Sequence, residues 1–308
     1  MNRKTALLGI VLSLVVCSSL VLGCKIQRVL CEAKKRQVLQ EKRKSAWGNL
    51  NVAVDNKIKN FKGSVSIAIR DLDTGWEIDF NKDALLPSAS LVKIPIMLSC
   101  FYAAQEGRIS LEDTVSLKRS EKVSGSKVLG SAPSGSLFTV RELFDPMITQ
   151  SDNAAANALI DFMGFEALNS YFKKMGLKNT NLARKMMDFQ ERKEGLENYT
   201  TAGDMAYLLE ELYRKAFLNK DVSEQCLALL EQQKINDRIP RKLPKDGIFI
   251  AHKTGLERYI CHDVGIVFTR KGDFLICVLV KHEDKFARHA KKLISDIALL
   301  TYNYYLNL

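Results

Sequence analysis

Alternation of apolar and polar residues with period two is concentrated at the two ends of the globular stretch, and this division constrains the fold most. Ser64-Val65-Ser66-Ile67-Ala68-Ile69-Arg70 alternates, Asp73-Thr74-Gly75 has turn composition, and Trp76-Glu77-Ile78-Asp79-Phe80 alternates again, which predicts a hairpin. The carboxyl-terminal third repeats the pattern. Ile248–His252 and Val264–Phe268 read as strands, and Lys271-Gly272-Asp273 turns the chain into an apolar strand over Phe274–Val280. After it, helical spacing places Phe286, Leu293, Ile297 and Leu300 on one side. The middle is helical. Thr139-Val140-Arg141-Glu142 and Thr201-Ala202-Gly203-Asp204 have capping-box form, and the helices Ala154–Met163 and Glu166–Met175 each stop at a glycine, Gly164 and Gly176. Strands at both ends with helices between predict an α+β fold. Its antiparallel sheet, built from N- and C-terminal strands, packs with helices beside a central all-helical lobe. A cleft between the lobes is where a site is expected.

The amino-terminal segment accounts for most of the charge. Of a net +11, residues 25–44 contribute +6 and Arg3 with Lys4 another +2, which leaves the globular part nearly neutral. That distribution argues against a nucleic-acid partner and for a membrane surface. Thr5–Gly23 is an uncharged apolar run, expected to be a signal peptide or membrane anchor, and Val21-Leu22-Gly23-Cys24 resembles a lipobox. The domains expected are therefore an anchor or leader over 1–24, a basic helical spacer over 25–50, and a catalytic domain over 51–308. The body is expected to be exported and held at the outer face of a bacterial cytoplasmic membrane, as a monomer. The remaining cysteines, Cys31, Cys100, Cys226, Cys261 and Cys277, are odd in number and irregularly spaced, so no disulfide framework is implied. The four histidines are scattered without H-E-x-x-H or paired C-x-x-C spacing, so neither a metal nor another cofactor is expected.

Chemistry is carried by three short motifs in order: Ser90-x-x-Lys93, Ser151-Asp152-Asn153 and Lys253-Thr254-Gly255. At residue frequencies of roughly 5–7% an S-x-x-K arises by chance about once in a chain this long, whereas the ordered triple does not. Ser90 at a helix start would have Lys93 one turn on and on the same face, able to take the hydroxyl proton if burial or other cations disfavour its charged form. Free N–H groups at that helix start suit a developing oxyanion, and Pro95 is compatible only with the first turns. Ser90 can alternatively be a plain N-cap with Lys93 a surface lysine. Ser151-Asp152-Asn153 falls between helices, as a cap or as a proton relay with an orienting amide. Lys253-Thr254-Gly255 closes a predicted edge strand, as a simple turn or as a carboxylate-binding cation and hydroxyl beside a glycine.

With Thr139-Val140-Arg141-Glu142-Leu143 and Asp152-Asn153-Ala154-Ala155-Ala156-Asn157, these motifs make the chain from about Gly63 onward resemble the class A-type penicillin-recognising serine hydrolases. The resemblance implies that Ser90 is the acylated nucleophile, Lys93 its proton acceptor or relay, and Ser151 the donor to the leaving nitrogen. Asn153 would contact Lys93 and substrate, Lys253 and Thr254 would bind the substrate carboxylate, and the backbone N–H groups of Ser90 and Leu256 would form the oxyanion hole. It also implies a β-lactam or cell-wall peptide substrate. Deacylation in that family uses a glutamate in an E-x-x-x-N loop. Glu194 and Asn198 have that spacing, but their surroundings differ. The expected activity is β-lactamase-like, with a D,D-peptidase or transpeptidase, or a non-catalytic envelope lipoprotein, as alternatives.

Overall fold

The computed structural model describes residues 3–307, the side chains of residues 3–24, 26 and 28 excepted. The anchor or lipobox expected over residues 1–24, with Cys17 and Cys24, lies outside the residues described with side chains. Among the described residues no helix is long and apolar enough to cross a membrane. The chain divides into two compact units, the first ending at Val52 and the second comprising Ala53–Asn307. The basic segment expected as a spacer is helical and belongs to α1 (Arg3–Lys59), which continues past Val52.

Within the second unit the terminal strands form one antiparallel sheet, as the alternation predicts. β1 (Gly63–Asp71) and β2 (Glu77–Phe80) make the first hairpin. After the connecting elements come β7 (Phe249–Glu257), β8 (Ile260–Phe268) and β9 (Phe274–His282). The sheet order is β2-β1-β9-β8-β7, so the first and last strands of the chain are joined by the β1–β9 pair, Gly63 opposite His282 and Asp71 opposite Phe274. β9 and β1 are buried on both faces over most of their length because helices cover the sheet on each side; α7 (Ala202–Tyr213) and α9 (Arg288–Leu306) both pack against it. Phe286, expected on the inner side of the last helix, instead precedes α9 and is exposed, since the helix begins only after the left-handed Ala287.

The helical lobe contains α2 (Lys93–Gln105), α3 (Val140–Thr149), α4 (Asn153–Met163) and α5 (Phe165–Lys174). Two short ribbons brace it, β3 (Leu86–Pro87) with β6 (Tyr199–Thr200) and β4 (Thr114–Ser116) with β5 (Leu137–Thr139). A short α6 (Phe189–Lys193) and α8 (Lys220–Glu231) complete the elements. Thr139 and Glu142 form the reciprocal capping box at the start of α3. Thr201 caps α7 through Asp204 N, but the Asp204 carboxylate turns away to accept from Asn179 N and Thr180 Oγ1, so that second box is only half made. Gly164 ends α4 with φ +80°, a conformation that costs a glycine little.

Candidate active site

The residues expected as nucleophile, base and relay are carried by three elements that meet at one point. Ala89–Val92 is a tight 3-10 turn leading directly into α2, so Ser90 precedes Lys93 by one turn and Pro95 falls in the first turn of the helix, where a missing N–H is harmless. Ala89 has φ +46°, an uncommon left-handed conformation for a residue with a Cβ. Ser90 is half-buried, and among the described residues its hydroxyl has no hydrogen-bond partner, which leaves it free for a substrate.

Lys93 is fully buried and spends its donors on the second motif. Its Nζ donates to Ser151 O at 2.7 Å, Asn153 Oδ1 at 2.6 Å and Ser151 Oγ at 3.3 Å. Ser151 occupies a left-handed turn, φ +58°, between α3 and α4, and that turn is what aims both its carbonyl and its hydroxyl at Lys93. From the sheet side Lys253, also fully buried, donates to Ser151 Oγ at 2.9 Å and to Thr254 O at 2.9 Å. The Ser151 hydroxyl thus bridges the two lysines.

Burial sets the protonation of both amines. Desolvation pushes Lys93 down to about 7, opposed only in part by the charges of Asp152 and Glu257. Lys253 is lowered well below the ordinary lysine value, first by desolvation and then by the charges of Lys93 and Arg238. Within the second motif the capping is done by Asp152, while Ser151 and Asn153 face Lys93. Asp152 is the N-cap of α4, accepting from Ala155 N at 3.0 Å, and its other oxygen accepts from Val128 N and Leu129 N. Asn153 bonds Lys93 with its oxygen and Ser124 O with its amide, at 2.7 Å. Gly125, φ +82°, lets that loop approach so closely that a Cβ there would lie 2.6 Å from Asn153 Nδ2.

The third motif does not close its strand, as expected, but lies within it. β7 runs on to Glu257 because Ile260–Phe268 of β8 pairs along its whole length. Lys253, Thr254 and Gly255 are consequently held in strand register on the sheet edge, with exposed Leu256 following. Gly255 is opposite His262, and a Cβ at Gly255 would meet Ala89 Cβ and the His262 ring at 3.3 Å. Among the described residues no cluster of three or more potential metal ligands occurs.

The loop with the E-x-x-x-N spacing does not deliver a carboxylate here. Glu194 is exposed and accepts from Gln190 Nε2 at 2.9 Å, whereas Asn198 is buried, holding Ala183 N, Arg184 N and Arg184 O. Asn157 of α4 instead grips the backbone of Met186, accepting from its N at 2.8 Å and donating to its O at 3.2 Å. Several site residues carry no local sequence signal at all. Arg184 is 1% exposed and binds Glu197 at 2.7 Å and Glu257 at 3.2 Å, and Arg192 bridges the same two carboxylates at 2.8 and 3.0 Å. Arg238, buried beside Cys261, is another. Their partners are distant in sequence, so only the fold brings them together.

A model of the β-lactamase enzyme family matches residues 49–305. The chain belongs to that family. It is 25% identical over 275 residues to β-lactamase VEB-1 of Pseudomonas aeruginosa, covering 84% of this chain and 91% of the relative, and 32% identical over 165 residues to a Bacillus licheniformis β-lactamase, covering 52% and 53%. Among solved structures it is similar to a β-lactamase of Sphaerobacter thermophilus, with TM-score 0.76, 30% identity, and coverage of 85% of this chain and 98% of that one. A mutant of PBP-A, solved as an acyl-enzyme complex with penicillin G, superposes with TM-score 0.78 at 26% identity, covering 85% and 97%. Family membership makes the chain a β-lactamase-like serine hydrolase with the α+β fold of that family.

Proposed function

We propose that Ser90 opens β-lactams by forming an acyl-enzyme, giving the chain β-lactamase-type activity. The observation that carries this reading is the Lys93–Ser151–Lys253 chain of hydrogen bonds, with Lys93 held near pKa 7 one turn from a free serine hydroxyl. Neutral Lys93 accepts the Ser90 proton as Oγ attacks the lactam carbonyl. The C–N bond then breaks, and Ser151 passes its proton to the leaving nitrogen and recovers one from a lysine ammonium. Lys253 and Thr254 supply the cation and hydroxyl that face a substrate carboxylate, and Ser90 and Leu256 N–H the oxyanion donors.

Water attack on the ester is the slower half. The carboxylates whose charges reach Lys93 are both engaged, Asp152 by backbone N–H groups and Glu257 by two guanidinium groups. Neither is free to activate water, and exposed Glu194 is turned to Gln190. This favours a second reading, a D,D-peptidase-like enzyme on cell-wall peptides in which a β-lactam adduct persists. A pulse of fluorescent penicillin followed by an unlabelled chase separates the two: loss of label within seconds supports hydrolysis, and label lasting many minutes supports the peptidase reading. Absence of label on folded wild-type protein, or label retained by Ser90→Ala, refutes both.

We also place the chain at the outer face of the cytoplasmic membrane, on the strength of the apolar run Thr5–Gly23 and the basic residues after it. Recovery of the full chain in the soluble fraction of cells would refute that placement. Incorporation of labelled fatty acid that Cys24→Ala abolishes would assign the anchor to lipid.

A further inference from the structure

The turn that carries Ser90 has a hidden support. His262, in the middle of β8, is fully buried; its Nε2 is 2.8 Å from Pro87 O, and Val280 N donates to its Nδ1 at 3.0 Å. A backbone N–H can only donate, so Nδ1 must be the unprotonated nitrogen and Nε2 must carry the proton it gives to Pro87. Burial holds the imidazole down to about 4, with Arg238 and His282 adding in the same direction, so this neutral tautomer persists through the neutral range. Pro87 is three residues before Ser90. Between them Ser88 N donates to Asn198 O at 2.7 Å, and Ala89 adopts its left-handed conformation against the bare face of Gly255, which the His262 ring also touches. A strained turn keeps its shape only when its neighbours over-determine it. Here His262 grips the turn at its entrance and packs against the glycine that admits it.

We propose that His262 is a positioning residue for the nucleophile: its Nε2–H, donated to Pro87 O, fixes the 87–90 turn in the place from which Ser90 reaches the acyl carbon. The proposal rests on acylation at Ser90 and adds a residue to it. Without the donor, Pro87 O loses its hydrogen bond and Val280 N its side-chain acceptor, and the turn relaxes toward a less strained shape that carries Ser90 with it.

The test is the rate of acylation by fluorescent penicillin as a function of its concentration, for full-length wild type, His262→Leu and His262→Gln, with label scored per folded molecule. His262→Leu is expected to lose about 10–100-fold in the limiting acylation rate, because misplacing a reacting group by ~1 Å costs on this scale, while the half-saturating concentration moves less than about threefold. His262→Gln retains an N–H long enough to reach Pro87 O and is expected to recover most of the rate. A wild-type limiting rate in His262→Leu overturns the proposal, and so does equal slowing of both variants or a loss confined to half-saturation. If His262→Leu does not fold, His262→Asn, whose amide is too short to reach, replaces it in the comparison with His262→Gln. Failure of the wild type itself to label at Ser90 would instead overturn the acylation reading, so the two failures are distinguishable.

Discussion

Replacing Lys93 with Met should change how stability depends on pH, by an amount the buried site fixes. Lys93 titrates at about 7 in the folded protein, against 10.5 when solvated, and desolvation is the first cause. Below pH 7 both states carry the proton, and the folded state bears the full penalty of a buried ammonium. Between pH 7 and 10.5 the unfolded chain binds the proton and the folded chain does not, so wild-type stability rises with pH through that window. At 1.36 kcal/mol for each pH unit, the wild type should gain about 2–3 kcal/mol between pH 6 and pH 9 that Lys93→Met does not. Lys253 works in the same direction, since the Lys93 charge helps to depress it and removing Lys93 raises it again. The assay is urea unfolding of both proteins at pH 6 and pH 9, read as a difference of differences so that the hydrogen bonds lost at Ser151 and Asn153 cancel. A gap between the two proteins that stays constant within about 0.5 kcal/mol across those pH values would refute the inference that burial keeps Lys93 neutral.

Acylation itself should need neutral Lys93, so the labelling rate is expected to be half-maximal near pH 7 and to fall about tenfold per unit below it; a flat profile from pH 5 to 8 would exclude Lys93 as the base. Glu257→Gln leaves Arg184 and Arg192 sharing Glu197 alone and should cost about 1–3 kcal/mol in guanidinium unfolding, less than a wholly broken buried pair because Glu197 still binds both arginines. The same change removes a negative charge that raises Lys93, so the acid limb of labelling should move to lower pH. Gly125→Ala should slow acylation, because its Cβ would drive Asn153 away from Lys93. Gly107→Ala, with a similar positive φ but nothing within 4 Å, should cost only backbone strain and leave the labelling rate alone.

Local patterns were good guides to the elements. The alternation at 64–70 and the apolar runs at 264–268 and 274–280 predict β1, β8 and β9, because a strand of this sheet is short, extended and covered by helices on its faces. They failed at the ends of elements. β7 continues through Gly255 to Glu257, since strand length is set by the partner β8 and not by the glycine in β7 itself. Phe286 and the half-made box at Thr201 missed for a related reason: a left-handed residue and a distant loop took the place that helical spacing assigned to them.

The order of Ser90, Lys93, Ser151, Asn153 and Lys253 along the chain, with the residue types themselves, was enough to determine the class of chemistry, because acyl transfer needs a hydroxyl, an amine and a relay whatever holds them. Their protonation was decided only in three dimensions. The charged forms of Lys93 and Lys253 are disfavoured because both amines are sealed from water and placed on one hydroxyl, and that follows from packing the helical lobe against the sheet edge. Tertiary structure also decided what the loop after Arg184 does. Its spacing offers Glu194 as a base, but an exposed helix end costs nothing to solvate, and the carboxylates drawn inward are those that two buried arginines can neutralise, Glu197 and Glu257. Those partnerships span residues far apart in the chain, so no local pattern records them.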